Sequence, residues 1–277
     1  MPEFLQYGFM QRALLAGAIT ALVCPAIGVF LIPRRLSLIA DSLAHVALAG
    51  VALALVLGIS PTLGALGVTV GGAVGIERLR ARGRLHGDAA LAVFLSGGLA
   101  IAVVLISVAR GFNENLFALL FGSILTVSVS DVWLILGLGL LVALIIGGFY
   151  PQLLAITLNE DLARTSGIRV SALNLGLTVL TALTTVVAMR IVGVLLVSAM
   201  IVIPALTGFA FARSFRGALA AAIGAALVSV VAGLAAAYYL GLAAGGAIVL
   251  GSLVLFGATT LYRRAAPADA ATDDSGQ

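Results

Sequence analysis

The stretch GALAAAIGAALVSVVAGLAAAYYLGLAAGGAIVLGSLVLFGATTLY, residues 217–262, runs for 46 residues without a charged side chain. About 20 apolar residues cross the hydrocarbon core of a bilayer, so this run holds two spans, with a break predicted near Leu240-Gly241. Toward the N-terminus the pattern repeats: residues 13–33, 46–76, 89–109, 115–130, 132–159, 170–189 and 191–212 are also free of charge. The run at 46–76 joins the apolar stretch from Leu36 and divides at Gly58-Ile59-Ser60-Pro61. With 62% hydrophobic and 9% charged residues over 277 positions, the composition lies far from that of a soluble domain, roughly 25% charged. The fold predicted is all-α, a polytopic membrane bundle of eight to nine transmembrane helices. Spans are expected at about 13–32, 37–57, 61–76, 89–109, 132–150, 171–190, 192–211, 217–238 and 243–262. They form one transmembrane domain over 1–264, and the Ala/Asp/Pro/Ser-rich residues 265–277 read as a disordered tail.

Several function classes fall away on composition. All fifteen basic residues are arginine, so the lysine of a G-x-x-x-x-G-K-[ST] phosphate loop is missing. The single cysteine, Cys24, allows neither an intrachain disulfide nor a cysteine-built zinc site. The arginines are scattered over short loops and form no stripe, which argues against a nucleic-acid partner. Their distribution does orient the chain, because arginine in short loops stays on the cytoplasmic side. With the N-terminus outside and the C-terminus cytoplasmic, twelve arginines fall inside, and only Arg12, Arg110 and Arg190 fall outside. The run at 115–130 breaks this alternation and is more polar than its neighbours, with Asn115, Gly122, Ser123, Thr126, Ser128 and Ser130. It reads either as a re-entrant segment packed inside protein or as a short helix at the outer interface. Gly64, Gly67, Gly71 and Gly75 recur at three- and four-residue steps, a small-residue face suited to close helix packing in lipid.

Ionisable side chains inside a membrane cost about 2.5–3.5 kcal/mol each on insertion scales and mark function by default. Asp41 and His45 lie in the span that starts near Ser37, four residues apart and therefore one turn apart on one helix face. A carboxylate and an imidazole so placed can share one divalent transition ion, and nitrogen–oxygen ligation suits zinc and manganese. Two protein ligands make an incomplete site, which fits an ion that must be released. On residue type alone the pair also fits a structural role, with Asp41 capping the helix near Arg34 or Arg35 and His45 bonding a neighbouring helix. Asp131 reads as a structural acid at a helix N-terminus, and Glu114 and His86 as solvated loop residues.

Between two spans lies Thr157-Leu158-Asn159-Glu160-Asp161-Leu162-Ala163-Arg164-Thr165-Ser166-Gly167-Ile168. Thr157 with Glu160 reads as a capping box, Gly167 as a helix stop, and 157–168 as a short amphipathic helix on the cytosolic side. It is either a solvated linker or a helix that docks in a groove on a soluble partner. A chain without a nucleotide site needs such a partner if its work is driven by ATP.

These two features together resemble a known family. Arg34-Arg35-Leu36-Ser37-Leu38-Ile39-Ala40-Asp41-Ser42-Leu43-Ala44-His45, followed by Gly50, looks like the second-helix signature of the zinc/manganese-type ABC permeases, the ZnuB-like family. Glu160 to Ile168 resembles the family's coupling stretch, and Gly193 to Ala205 its late-helix signature. Leu120-Phe121-Gly122-Ser123-Ile124-Leu125 also matches, with Ser123 where the family often has Asp. The matches keep their order from about residue 12 to 262.

The resemblance implies a non-enzymatic permease subunit of an importer in the bacterial cell membrane. It implies as partners a second permease, either another copy of this chain or a related one, separate ATP-binding-cassette ATPase subunits and an extracytoplasmic metal-binding protein. No permanently bound cofactor is implied; the cargo would be zinc(II) or manganese(II), with zinc favoured. Carried over residue by residue, Asp41 and His45 would touch the metal. Leu158, Asn159, Glu160, Asp161, Leu162, Arg164, Ser166 and Gly167 would contact the ATPase. Two other readings stay open on sequence: a gradient-driven secondary cation transporter with Asp41 titrating, and an intramembrane enzyme, for which one Asp and one His are thin support.

Overall fold

The computed structural model describes residues 6–81, 87–108, 118, 120–123 and 127–265. Its helices are α1 (Gly8–Leu31), α2 (Ser37–Leu57), α3 (Pro61–Ala81), α4 (Gly87–Val108), α5 (Val129–Gly148), α6 (Tyr150–Leu158), α7 (Glu160–Thr165), α8 (Val170–Val192), α9 (Val197–Phe211), α10 (Phe215–Leu240) and α11 (Ala244–Ala265). A 3₁₀ turn, Val194–Leu196, joins α8 to α9. No strand occurs among the described residues, and the chain is an all-α, multi-pass membrane bundle. Among the described residues eight segments are long and apolar enough to cross a bilayer, one of them the 3₁₀ turn and α9 taken together, Val194–Phe211. The ninth, α3, is as long as α2 but ends in the charged run Glu77-Arg78-Leu79-Arg80, five residues beyond the expected boundary at 76.

Both predicted breaks are present. α2 ends at Gly58 in the left-handed region, and Pro61 opens α3, where its missing N–H costs nothing. α10 ends at Gly241, also left-handed, and begins under the side chain of Ser214, which accepts a hydrogen bond from the Gly217 N–H at 3.1 Å. Helices α1, α2 and α8 form the buried centre, whereas α4, α5 and α11 leave most of their surface facing outward. α1 meets α9 backbone to backbone: a Cβ on Gly28 would lie 1.9 Å from the Ile201 carbonyl oxygen.

The glycine face on α3 is only partly a packing face. Gly64 abuts Gly50 and Ala54 of α2, and Gly75 abuts the Phe94 ring, but Gly67 and Gly71 have nothing within 4 Å. The reason is that α4 packs across α2 more than across α3. A cavity of about 700 Å³ lined by Val46, Gly71, Gly72, Phe94 and Gly98 stays open between the three helices.

Of the polar segment 115–130, the described residues 120–123 lie against the junction of α8 and α9. A Cβ on Gly122 would be 2.1 Å from the Ile191 carbonyl oxygen, and one on Gly193 would be 2.3 Å from that of Leu120. Gly122 is buried there, and Leu120, Phe121 and Ser123 are partly buried; Glu114, His86, residues 115–117, 119 and 124–126, and the tail 266–277 lie outside the described residues.

Gly193 is the break between the expected spans 171–190 and 192–211, two residues later than expected, and Val194–Phe211 is the second of them. The Gly193 φ of +85° and ψ of 151° end α8, and only the 15 residues of α9 follow the turn. Such a conformation is accessible essentially to glycine alone. Gly193→Ala is therefore expected to lower the apparent unfolding temperature in detergent and the yield of folded protein. Alanine carries about 1–3 kcal/mol of backbone strain there, in addition to the clash with Leu120. An unchanged melting profile would show that this junction relaxes freely.

Candidate functional site

The segment that carries the candidate ligands is the start of α2. Five residues, Ile32 to Leu36, reverse the chain after α1, closed by Leu36 N–H to Leu31 O at 3.0 Å and Arg35 N–H to Ile32 O at 3.0 Å. Arg35 takes a φ of +57° within this turn. α2 then starts with no side-chain cap, its N-cap position being Leu36. Asp41 is thus in the second turn and caps nothing, and the capping alternative fails.

Asp41 Oδ1 and His45 Nε2 stand 4.0 Å apart, with side-chain exposures of 36% and 14%. That gap is too wide for a direct hydrogen bond, yet it suits an ion held between them. Two donors each about 2.1 Å from a metal are about 3–4 Å apart over bond angles from 90° to 140°. Ser198, near the start of α9, donates from Oγ to Asp41 Oδ1 at 3.3 Å. Ser198 was not singled out from the sequence, although it sits inside the Gly193–Ala205 signature. Only the Gly193 turn brings it beside a residue 157 positions away. His45 Nδ1 is buried without a hydrogen-bond partner. Among the described residues no group of three or more His, Cys, Asp or Glu side chains gathers to hold a metal. One chain therefore offers a carboxylate, an imidazole and a supporting hydroxyl.

Neither nearby arginine pins Asp41 through the observed bonds. Arg34 turns away from α2, donating from Nη2 to Asn174 Oδ1 at 2.7 Å and to Glu160 Oε2 at 3.2 Å. Its side chain is only 7% exposed. Burial lowers the pKa of the guanidinium, and the adjacent Glu160 carboxylate opposes that shift. Glu77, which lies one residue past the expected end of the third span at 76, is buried too. It receives Arg80 Nη1 at 3.1 Å and Thr178 Oγ1 at 3.5 Å.

At the other end of the bundle Asp131 has the structural place expected of it. Its carboxylate accepts from the Ser128 N–H at 3.1 Å, and Ser128 Oγ accepts from the Asp131 N–H, a reciprocal cap on α5. Arg190 at the end of α8 lies 3.6 Å from Asp131 and donates to Thr62 Oγ1. This explains how one of the three arginines on the minority side is accommodated: it ties α3, α5 and α8 together.

The expected docking segment departs from its predicted form. Thr157 belongs to the last turn of α6, its hydroxyl donating back to Leu153 O at 2.7 Å, and no Thr157–Glu160 capping box exists. Asn159 takes an extended conformation (φ −157°, ψ 110°) and caps α7, its side chain accepting from the N–H groups of Asp161 and Leu162 at 3.0 Å each. The asparagine amide competes better for those donors than a threonine two residues earlier, so one helix over 157–168 becomes two. Gly167, with φ +81°, follows the last turn as expected. Leu158 and Leu162 are 72% and 64% exposed, and Glu160 turns inward to Arg34 and Asn174.

Comparison with known proteins agrees with this architecture. The model of the ABC 3 transport family matches residues 6–263. The manganese import system permease protein ScaB of Streptococcus gordonii is 36% identical over 260 residues, 92% of each chain. The high-affinity zinc uptake system membrane protein ZnuB of Haemophilus influenzae is 30% identical over 91% of this chain and 96% of its own. Among solved structures, PsaBC from Streptococcus pneumoniae in complex with Fab superposes with a TM-score of 0.84 at 32% identity, covering 94% of this chain and 96% of that one. The chain belongs to the ABC 3 transport family, the zinc/manganese-type ABC permeases that its second-helix motif resembles.

Proposed function

We propose that this chain is the membrane subunit of an ATP-driven importer for a divalent transition-metal ion, which it binds transiently as cargo at Asp41 and His45. The observation that carries this reading is the 4.0 Å separation of the two donors, supported by Ser198, in the buried central helix α2. One chain leaves an ion undercoordinated. A second copy facing the first would bring the donors to two carboxylates and two imidazoles, enough for tetrahedral zinc or for part of a larger manganese shell. Asp41 is about a third exposed in the single chain, so a partner can reach it.

The N-terminus lies outside, following the twelve-to-three arginine bias. That places Leu158, Asn159, Glu160, Asp161, Leu162, Arg164, Ser166 and Gly167 on the cytoplasmic side, beside a separate ATPase. An extracytoplasmic binding protein delivers the ion to the opposite face. The residue pattern of α2 leans toward zinc. The ScaB relative, named for manganese, is more similar than ZnuB, named for zinc, and this makes manganese(II) the first ion to test.

The test is metal analysis by mass spectrometry of cells lacking the gene, with and without a plasmid copy, grown at limiting manganese or zinc. A selective fall in one metal, restored by the plasmid and abolished by ATP depletion, is expected. Uptake that ignores ATP depletion but stops with an ionophore would instead support a gradient-driven transporter.

A further inference from the structure

We propose that Arg34 is the strut through which movement of the docking helix reaches the metal helix, a positioning residue for transport. This inference rests on the permease reading above and adds to it the path of the coupling. Three observations place Arg34 there.

Its guanidinium joins three elements in one knot. Nη2 bonds Glu160, the first residue of docking helix α7, and Asn174 in the first turns of α8, and Asn174 Nδ2 in turn lies 3.5 Å from Glu160 Oε1. The connection from Arg34 to the site is short and stiff. Arg34 sits in the closed turn, where the positive φ of Arg35 leaves little slack; α2 begins three residues later at Ser37 and carries Asp41, seven residues after Arg34. A displacement of Glu160 is therefore passed to the start of α2 as a rigid-body push, because a helix transmits axial force with little internal give. Finally, Arg34 Nη1 is buried with no hydrogen-bond partner. An unmet donor on a buried guanidinium is costly, so Nη1 gains from any acceptor that a movement of the knot brings to it. Arginine suits this role because its planar fork can hold two acceptors at fixed angles, which an ammonium cannot.

The experiment uses the full permease reconstituted in liposomes with its own ATPase, with manganese(II) as the transported probe and metal moved per ATP hydrolysed as the readout. R34Q is expected to keep the ATPase bound at wild-type stoichiometry while lowering metal moved per ATP at least about tenfold, the factor one charge-assisted hydrogen bond is worth. E160Q is expected to fall similarly, and the R34Q/E160Q double variant no further than the worse single, because both remove the same contact. Losses that multiply in the double variant, or unchanged metal per ATP in R34Q, overturn the strut. Transport that falls only in step with the amount of permease in the membrane also overturns it, since a purely structural residue gives that result. A wild-type complex that moves no manganese and no zinc with ATP defeats the permease reading itself; a coupled wild type with an equally coupled R34Q defeats the strut alone.

Discussion

Asp41→Asn and His45→Ala are each expected to abolish metal uptake, by about 100-fold or more, while the permease still assembles with its ATPase. The magnitude follows from coordination chemistry. Residues that merely orient a metal ligand typically cost 10–100-fold when removed, and these two are proposed as ligands themselves. Asparagine keeps the shape of Asp41 and its acceptor for Ser198, which sits 3.3 Å away, but carries no charge to offset the desolvation of a dication. A useful contrast is Asp131→Asn. That residue completes the cap on α5 and pairs with Arg190 at 3.6 Å, so its loss is expected to cost more stability than the ~1 kcal/mol of a cap alone and to leave uptake per folded permease largely intact. Isotope uptake in whole cells, normalised to permease in the membrane fraction, distinguishes the two acids. Uptake that survives both Asp41→Asn and His45→Ala would remove the site from the account, and uptake lost equally with Asp131→Asn would show that it responds to stability alone.

The second large effect concerns docking. Leu158 and Leu162 present 72% and 64% of their surface outward at the α6–α7 break, which faces the cytosol in the proposed orientation. Two exposed leucines side by side on short helices gain free energy when a partner covers them. Burying one leucine contributes about 1.5–3 kcal/mol, so Leu158→Asp with Leu162→Asp removes about 3–6 kcal/mol of association, roughly a hundredfold to ten-thousandfold in affinity. The ATPase is then expected to be lost from pull-downs of tagged permease. The substitutions lie on exposed positions, so the permease itself should elute at its normal volume in size-exclusion chromatography. ATPase retained at wild-type stoichiometry would place its contact elsewhere on the cytoplasmic face. Because Glu160 turns inward, its substitution is expected to disturb coupling more than binding.

Much of the fold was legible because lipid imposes a one-dimensional rule: a span must be apolar along its length, and its ends must break where glycine and proline stand. The divisions at Gly58–Pro61 and Leu240–Gly241 follow from that rule and from nothing else. So does the choice of Asp41 and His45, since an ionisable pair one turn apart in such a helix is rare enough to notice without coordinates. The end of α3 was misjudged because a hydropathy reading stops at the first charge, whereas Glu77 is buried and bonded to Arg80 and Thr178. The docking segment was misread because Thr157 and Asn159 are both good caps by residue type, and only the backbone at Asn159 decides between them.

The sequence by itself determined the membrane spans, their order and the pair of ligand candidates, because each is a property of residues close together in the chain. Only the tertiary structure decided that Ser198 supports Asp41, that Arg34 reaches Glu160 and Asn174 rather than Asp41, and that Gly67 and Gly71 face open space. Those are contacts between residues far apart in sequence. They depend on how α2, α8 and α9 cross, and on the Gly193 turn between the last two, which no local pattern of side chains encodes.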